Sequence, residues 1–353
     1  MFKPSEKSIA LIEDLERRID PDTEEDFKQQ WRDFLFGRFD GDIFTPKRKK
    51  ITPPTVELSN IHINDAIEDY DAMLQMQLSQ LSMTLNSPSR CLCLRSNYGT
   101  GIMTTILGAD LYMMPRKMNT LPTTKPVNDP EWIRAMLERG MPDHRSGLGE
   151  KVFGFGEICA ELFAKYPKVA KYVTFYHPDF QGPLDACELL WGTDIFYSMY
   201  DEPELVHDAI SLITDTYINC MDKWYNLFPA DEEMNPHWEA FFYRGKIVLR
   251  SDSAMNLSPD LYCEFSLPYD RKLLERYDGG AIHFCGRGDH YIDIICAEKG
   301  VTAINLSQPE YNDMEKIYTN TVDKGIKILS MPREQAVADT SRGFHGHVHT
   351  HSS

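Results

Sequence analysis

The chain has 353 residues, of which 42% are hydrophobic and 26% charged, an ordinary balance for a globular protein with a sizeable core. Its formal net charge of −17 argues against general nucleic-acid binding and against an anionic membrane surface. No apolar run approaches the roughly 20 residues that span a bilayer, and residues 1–10 lack the apolar stretch of a signal peptide. The eight cysteines follow no framework spacing, so we expect free thiols in a cytoplasmic protein.

The N-terminal residues 1–60 predict a helical extension. Apolar residues recur at helical spacing over 8–19 and again over 24–36. The loop-like segment that follows carries the basic run 47–50, for which we expect a solvated surface. A long helix is predicted over 64–85.

Short apolar segments then alternate with helical patterns. We predict strands over 91–94, 173–176, 247–249, 281–285, 302–305 and 326–329. This alternation predicts parallel strands, in either a (β/α)8 barrel or an open doubly wound sheet. No Gly-x-Gly-x-x-Gly follows the first strand, and the length leaves room for an extension beyond the roughly 250 residues of a barrel. We favour an α/β fold with a (β/α)8 TIM barrel at 61–340 and a disordered His-rich C-terminal tail at 341–353.

The strand over 281–285 ends in a His-x-Cys pair. Residues two apart on a strand point to one face, so His283 and Cys285 project together at its C-terminal end. An imidazole nitrogen beside a thiolate sulfur suits zinc. The alternative is a buried cysteine that packs as a small apolar group beside a hydrogen-bonded histidine.

Polar residues also follow three earlier strands, and a barrel brings the C-terminal ends of its strands to one mouth. The candidate catalytic residues are Asp252 and His177. The candidate substrate-binding residues are Arg95, Asn97, Tyr98, Asp179, Gln181 and Arg250. Structural alternatives remain, since Asp252 can cap a helix, Arg95 can pair with an acid and Gln181 can satisfy turn backbone. The convergence of the whole set predicts an enzyme with a small-molecule substrate.

Three of these stretches together resemble the uroporphyrinogen decarboxylase superfamily. They are His-Pro-Asp-Phe-Gln-Gly-Pro at 177–183, Ser-Asp-Ser-Ala-Met-Asn-Leu-Ser-Pro at 251–259 and His-Phe-Cys-Gly at 283–286. Asn-Tyr-Gly-Thr-Gly at 97–101 is similar to the early loop of some members. The resemblance covers roughly residues 60–335 and implies a (β/α)8 barrel. The superfamily contains porphyrinogen decarboxylases and zinc-dependent methyltransferases that work with methylated corrinoids.

The His-x-Cys-Gly stretch is similar to the methyltransferase branch, in which a His-x-Cys pair and a distant Cys bind zinc. The resemblance implies that His283 and Cys285 are zinc ligands and that a methyl group moves between a corrinoid and a small thiol. The corrinoid would be carried by a separate protein, because no cobalamin-binding domain is visible here. No Cys follows Cys296. The candidates for the third ligand are His345, His347, Cys263 and Asp252.

Two alternatives stay open. A uroporphyrinogen decarboxylase of tetrapyrrole biosynthesis would remove carboxyl groups from acetate side chains without a metal, with Asp252 or Asp179 holding pyrrole N–H groups. That branch has an Arg-Gln-Ala-Gly-Arg stretch near its N-terminus and needs an arginine-rich cleft for eight carboxylates, and this stretch is absent here. The other alternative is a module that binds a tetrapyrrole or a corrinoid without turnover.

Overall fold

The computed structural model describes residues 2–351. The α-helices are α1 (Glu6–Arg18), α2 (Pro21–Leu35), α3 (Ile63–Glu68), α4 (Tyr70–Leu85), α5 (Ile102–Ile106), α6 (Pro130–Arg139), α7 (Gly149–Phe163), α8 (Pro167–Tyr172), α9 (Pro183–Trp191), α10 (Ile195–Asp201), α11 (Pro203–Leu227), α12 (Pro259–Phe265), α13 (Leu267–Arg276), α14 (Ile292–Ile295), α15 (Met314–Asn320) and α16 (Arg333–Ala338). Short 3₁₀ helices span Arg116–Met118, Ser253–Asn256, Pro309–Tyr311, Val322–Lys324 and Thr340–Arg342. The strands are β1 (Ile43–Phe44), β2 (Cys93–Leu94), β3 (Leu111–Tyr112), β4 (Thr123–Thr124), β5 (Thr174–Phe175), β6 (Asn235–His237), β7 (Phe241–Tyr243), β8 (Ile247–Arg250), β9 (Gly280–Phe284), β10 (Val301–Leu306), β11 (Lys327–Ile328) and β12 (Val348–His349).

The main sheet has six strands in the order β1-β12-β11-β10-β9-β8, and all of its pairings are parallel. Strands β2 and β5 form a second parallel pair, and β3–β4 and β6–β7 are antiparallel hairpins. The protein is therefore mixed α/β with a parallel sheet and many helices, an arrangement consistent with a TIM-barrel-like fold. All six predicted strands are present. Within residues 2–351, no helix combines the length and apolarity needed to cross a membrane.

The register of three neighbouring strands positions the candidate site. His283 on β9 pairs with Arg250 on β8 and with Asn305 on β10. Because parallel strands end at the same edge, the residues that follow these three positions lie on one side of the sheet. Asp252 and Cys285, each two residues beyond a member of this row, are thereby brought to the same edge.

The β6–β7 hairpin lies against the main sheet. Its residues Phe241, Phe242 and Tyr243 share one buried cluster with Val248, Ala281 and Ala303 of β8, β9 and β10, and with apolar residues of α2. The hairpin tip carries Trp238 in the left-handed region, with a φ of +49°. A non-glycine residue adopts this backbone conformation only where its surroundings hold it there, so the position of Trp238 is fixed by its contacts.

The expectation of a disordered C-terminal tail is wrong for residues 341–351, and residues 352–353 lie outside the described residues. Strand β12 lies between β1 and β11 in the main sheet, and both of its residues are buried. His349 is fully buried and its ring packs 4.5 Å from that of Trp31 in α2. The boundaries predicted at 60 and 340 therefore separate strands that belong to one sheet, because β1 and β12 lie outside 61–340.

Two local expectations also need correction. Arg48, in the basic run expected to be solvated, is 2% exposed because it forms a two-point ion pair with Glu24 and stacks on Phe27. The predicted helix over 64–85 is divided into α3 and α4 at Asp69, whose side chain accepts a hydrogen bond from Ala72 N and so caps the second helix.

Candidate metal centre

Three potential metal ligands meet at the edge where β8 and β9 end. One ligand atom each of Asp252, His283 and Cys285 lies within 4.8 Å of the others. Cys285 Sγ is 3.5 Å from His283 Nε2, and Asp252 Oδ1 is 3.7 Å from the same nitrogen. His283 is 7% exposed, while Asp252 and Cys285 are partly exposed. The group is therefore anchored in the protein and open on one side.

These separations match a tetrahedral zinc site. With a Zn–N distance of about 2.05 Å and a Zn–S distance of about 2.3 Å, tetrahedral nitrogen and sulfur ligands lie about 3.6 Å apart, and nitrogen and oxygen ligands about 3.4 Å apart. The corresponding separations here are 3.5 Å and 3.7 Å. Three protein ligands with an open fourth position are the pattern of a catalytic zinc site. The donor set and its geometry therefore fit the metal that the sequence resemblance implies.

Asn305 orients the imidazole of His283. The amide group of Asn305 donates through Nδ2 to Leu329 O at 2.7 Å, and its Oδ1 lies 2.7 Å from His283 Nδ1. With Nδ2 committed to a carbonyl, Oδ1 is the acceptor and His283 Nδ1–H is the donor. The lone pair of Nε2 then faces Cys285 and Asp252. Metal-binding histidines are commonly fixed by such a second hydrogen bond.

The loop that carries Cys285 is also held in place. Asp252 Oδ1 accepts a hydrogen bond from Cys285 N at 2.6 Å, and Gln308 Oε1 accepts one from Gly286 N at 2.6 Å. Gly286 has a φ of +73°, and a Cβ there would come within 2.7 Å of Met255 Sδ. A side chain at position 286 would therefore disturb both the turn and the position of Cys285.

A thiol nucleophile activated by a histidine base uses a similar constellation, with Cys285, His283 and Asn305 in the three roles. The pKa values argue against it. Burial and the nearby Asp252 raise the pKa of Cys285, while burial and the nearby Arg250 lower the pKa of His283. Both shifts disfavour the thiolate–imidazolium pair that such a nucleophile requires. A bound cation would favour the thiolate, so the chemistry of the group suits a metal better.

Arg250, Asp179 and Gln181 form a supporting network beside this group. Arg250 is 6% exposed and contacts both carboxylate oxygens of Asp179 at 3.3 Å. Gln181 donates to Asp179 at 2.8 Å. Burial raises the pKa of Asp179, but Arg250 more than offsets this and holds it below its usual value. At Gly182 a Cβ would lie 2.0 Å from Arg250 O, so only glycine permits this close approach of the loop to β8.

His177 was predicted as a catalytic residue, and the geometry does not support that role. Its Nδ1 donates to Pro178 O at 2.9 Å, and its Nε2 accepts from Val248 N at 3.3 Å. Both ring nitrogens are thus used by backbone, and the residue is 4% exposed. Burial lowers the pKa of His177 to about 4. The neutral imidazole ties the loop after β5 to β8.

The loop at 95–101 places some of its side chains in the core and others along a cavity. Tyr98 is fully buried, packs against Phe155, and its hydroxyl has no partner within residues 2–351. Its predicted substrate contact is therefore not supported. Arg95 and Asn97 line a small cavity together with Trp238, and its lining includes none of the three potential metal ligands.

A larger cavity opens directly beside Asp252. It has a volume of about 440 Å³. Its lining comprises Thr100, Pro126, Gln181, Asp185, Glu188, Leu189, Gly192, Thr193, Asp252, Ser253 and Asn256. Asp185 accepts hydrogen bonds from the backbone N–H groups of Asp252 and Ser253 at 3.0 and 2.8 Å. Burial and the nearby Asp252 raise the pKa of Asp185 to about 7. The cavity gives a small molecule access to the edge of the candidate metal centre.

Of the four third-ligand candidates, the structure places only Asp252 in the metal-binding group. Cys263 is exposed on α12. His345 and His347 precede β12, where His347 donates through Nδ1 to His345 O. Within residues 2–351, the histidines near the C-terminus form no group of three or more metal-binding side chains.

Sequence reasoning missed Asn305, Asp185, His237 and Trp238. Asn305 had a signal, because it is a polar residue at the end of a predicted strand. Asp185 also had one, as an acid in the first turn of a helix that follows a site-like loop. No sequence pattern pointed to His237 or Trp238, because the hairpin that carries them was not predicted. The ring of His237 lies 6.4 Å from that of His283 and stacks on Trp238 at 4.7 Å.

Together, the fold and the site define an α/β protein with a candidate mononuclear metal centre at the C-terminal edge of a parallel sheet. No protein-family model and no curated protein matches the sequence. Among solved structures, a methyltransferase from Methanosarcina mazei is similar, with a TM-score of 0.63 over 92% of this chain and 92% of that chain. The two sequences are 14% identical. The match shows that the two proteins share a fold.

Proposed function

We propose that this protein is a zinc-dependent methyltransferase that moves a methyl group between a corrinoid on a partner protein and a small thiol. The observation that carries the proposal is the Asp252–His283–Cys285 group, whose N···S and N···O separations are those of a tetrahedral zinc site. The shared fold with a methyltransferase supports it. In this proposal the two parallel sheets together supply the eight strands of a (β/α)8 barrel, with the site at its mouth.

The residues of the chain have separate tasks in this proposal. His283, Cys285 and Asp252 hold the ion, and Asn305 keeps His283 Nε2 free of a proton. When bound, zinc would supply a Lewis acid that lowers the pKa of a thiol acceptor and favours its nucleophilic thiolate. The cavity beside Asp252 admits the acceptor. The paired charges of Arg250 and Asp179 hold the end of β8 in place without adding net charge.

The decarboxylase alternative fits the cavity less well. A substrate with eight carboxylates requires a basic cleft, whereas the described residues that line the cavity beside Asp252 include three acids and no Arg, Lys or His. Like charges in a partly desolvated pocket repel strongly. A module that binds a tetrapyrrole or a corrinoid without turnover could also hold a structural metal. Metal content alone therefore does not separate this module from the enzyme, whereas a turnover assay does.

Metal content tests the proposal. The untagged protein should contain about one zinc per chain, measured by mass spectrometry of the metal. His283→Ala, Cys285→Ala and Asp252→Asn should each lose most of it, because each removes one of three ligands. Cys263→Ser and His345→Ala are matched controls, since they change an exposed cysteine and an exposed histidine outside the group. Truncation of the C-terminus is unsuitable because it removes β12.

The outcomes are distinct. Zinc that is lost in the three ligand variants and kept in the two controls supports the metal centre, and methyl transfer from a methylated corrinoid to thiols is then assayed. If the wild-type protein contains no metal, or if all three ligand variants retain zinc, the proposed function is refuted. Porphyrinogen turnover is then the next assay.

A further inference from the structure

Two guanidinium groups flank one indole ring beside the candidate metal centre, and they differ in their partners. Arg95 lies 4.1 Å and Arg250 4.7 Å from the ring centroid of Trp238. Arg250 is paired with Asp179. The guanidinium of Arg95 forms no hydrogen bond and no ion pair with any of residues 2–351, although Arg95 is largely buried. Burial lowers the pKa of Arg95, and the nearby carboxylates of Asp179 and Glu239 reduce this effect without cancelling it.

Arg95 lines a cavity of about 220 Å³, and Glu239 is the only acidic residue among the described residues that line it. The cavity is bounded by Met76, Gln77, Gln80, Cys93, Leu94, Arg95, Asn97, Trp238 and Glu239. Within the described chain, the carboxylate of Glu239 has no hydrogen bond and no cationic partner within 4 Å. Glu239 is close enough to act on the pKa of Arg95, yet the two side chains form no ion pair. The cavity therefore presents one free cation and one free anion.

The walls between these two charges suit a small ligand with a short apolar part. Trp238 lines the cavity with Arg95 against its ring, and its Nε1–H is buried without a partner. Gln80 and Asn97 add amide groups that can donate or accept. The volume is below the roughly 300–1,000 Å³ of pockets for drug-sized molecules. Glu239 would repel a simple anion, and Arg95 would repel a simple cation.

We infer that this cavity binds a small zwitterion of the α-amino acid class, with the ligand carboxylate on Arg95, its ammonium group near Glu239 and its side chain against Trp238. A guanidinium binds a carboxylate through two parallel hydrogen bonds, and such charge-assisted bonds are about twice as strong as neutral ones. An ammonium group beside a carboxylate and an aromatic face gains from both. The inference concerns a site separate from the metal ligands and does not depend on the proposed function.

Calorimetric titration of the full chain with three matched compounds tests the inference. L-norvaline carries both charges, pentanoate lacks the ammonium group, and butylamine lacks the carboxylate. We expect norvaline to bind at least tenfold more tightly than either analogue. Arg95→Gln and Glu239→Gln should each weaken norvaline binding by about tenfold or more, because each removes one charge-assisted contact. Arg139→Gln is the matched control, since Arg139 stacks on Trp132 at 5.0 Å outside the cavity.

Repeating the titration in Cys285→Ala separates the cavity from the metal, because an amino acid can also chelate zinc. Retained norvaline binding in Cys285→Ala supports the inference even if the protein proves to hold no metal. Equal binding of the three compounds, loss of binding in Cys285→Ala alone, norvaline affinity unchanged in both charge variants, or no norvaline binding up to millimolar concentration would each overturn it. Thermal unfolding of each variant confirms that the weakened binding belongs to a folded protein.

Discussion

Replacing Asn305 by leucine tests how the candidate metal centre is organised. Asn305 is 7% exposed and joins His283 Nδ1–H to the carbonyl of Leu329 through two hydrogen bonds of 2.7 Å. Leucine is similar in size and can make neither bond. The variant leaves a buried donor and a buried acceptor without partners, and each such group costs about 1–3 kcal/mol. We expect the free energy of unfolding of the metal-free protein to fall by about 2–6 kcal/mol, measured by urea denaturation.

The same substitution should weaken metal binding, because it frees the His283 ring to rotate and to place a proton on Nε2. Loss of an outer hydrogen bond to a metal ligand typically lowers metal affinity 10–100-fold, which corresponds to about 1.4–2.7 kcal/mol. Competition with a chromophoric chelator measures the zinc dissociation constant. Asn320→Leu is the control, since Asn320 is a buried asparagine on α15 whose Nδ2 donates to Lys316 O at 3.0 Å.

The comparison separates positioning from general stability. Asn320→Leu should reduce the free energy of unfolding and leave the zinc dissociation constant within about twofold of wild type, because it touches no residue of the metal-binding group. Equal zinc affinity in Asn305→Leu and wild type would refute the assignment of Asn305 as the residue that orients His283. If wild type binds no zinc, the metal centre itself fails, and the stability measurement still tests the two hydrogen bonds.

Two further predictions concern buried ionisable side chains away from the proposed metal ligands. Glu24→Gln should lower the free energy of unfolding by about 3–5 kcal/mol, because it leaves the buried Arg48 guanidinium without its carboxylate; a loss below about 1 kcal/mol in urea denaturation contradicts this. Burial raises the pKa of Asp270 to about 8, so the folded state keeps a proton that the unfolded state releases above about pH 4. The stabilisation by this group is therefore complete below about pH 4 and is lost as the pH rises to about 8, by up to about 1.4 kcal/mol per pH unit. Asp270→Asn keeps the hydrogen-bonding capacity toward Ser266 and should flatten the fall in stability between pH 5 and pH 8; an unchanged pH dependence would show that Asp270 is ionised in the folded protein.

The strands that carry the site were predictable because their sequences are short, apolar and followed by polar residues. Residues 247–249 and 281–285 contain almost nothing else, and the structure places β8 and β9 there. The polar residues after them therefore had to meet at one edge if the strands were parallel neighbours. Asn305 ends a predicted strand as well, but its hydrogen bond to His283 depends on the register of β10 against β9, which no local pattern encodes.

Elements stabilised by distant contacts could not be predicted from local composition. The C-terminal residues are polar and rich in histidine, which is typical of disorder, yet Val348 and His349 fill the space between β1 and β11. Arg48 stands in a basic run, and only the approach of Glu24 from α2 makes its burial favourable. The β6–β7 hairpin had no signal because β6 is Asn-Pro-His, in which Pro236 argues against a strand.

The sequence left four candidates for the third ligand of the proposed metal centre, and the structure places Asp252 beside His283 and Cys285. His283 lies on β9 and Cys285 just beyond its end, whereas Asp252 follows the neighbouring strand β8 and accepts a hydrogen bond from Cys285 N. Without a metal, burial and this carboxylate raise the pKa of Cys285 and so disfavour its thiolate. With a divalent cation, one carboxylate, one thiolate and one neutral imidazole balance the charge of the ion. In the proposed centre, Asp252 would therefore complete a site without net charge and leave one position for a thiol substrate.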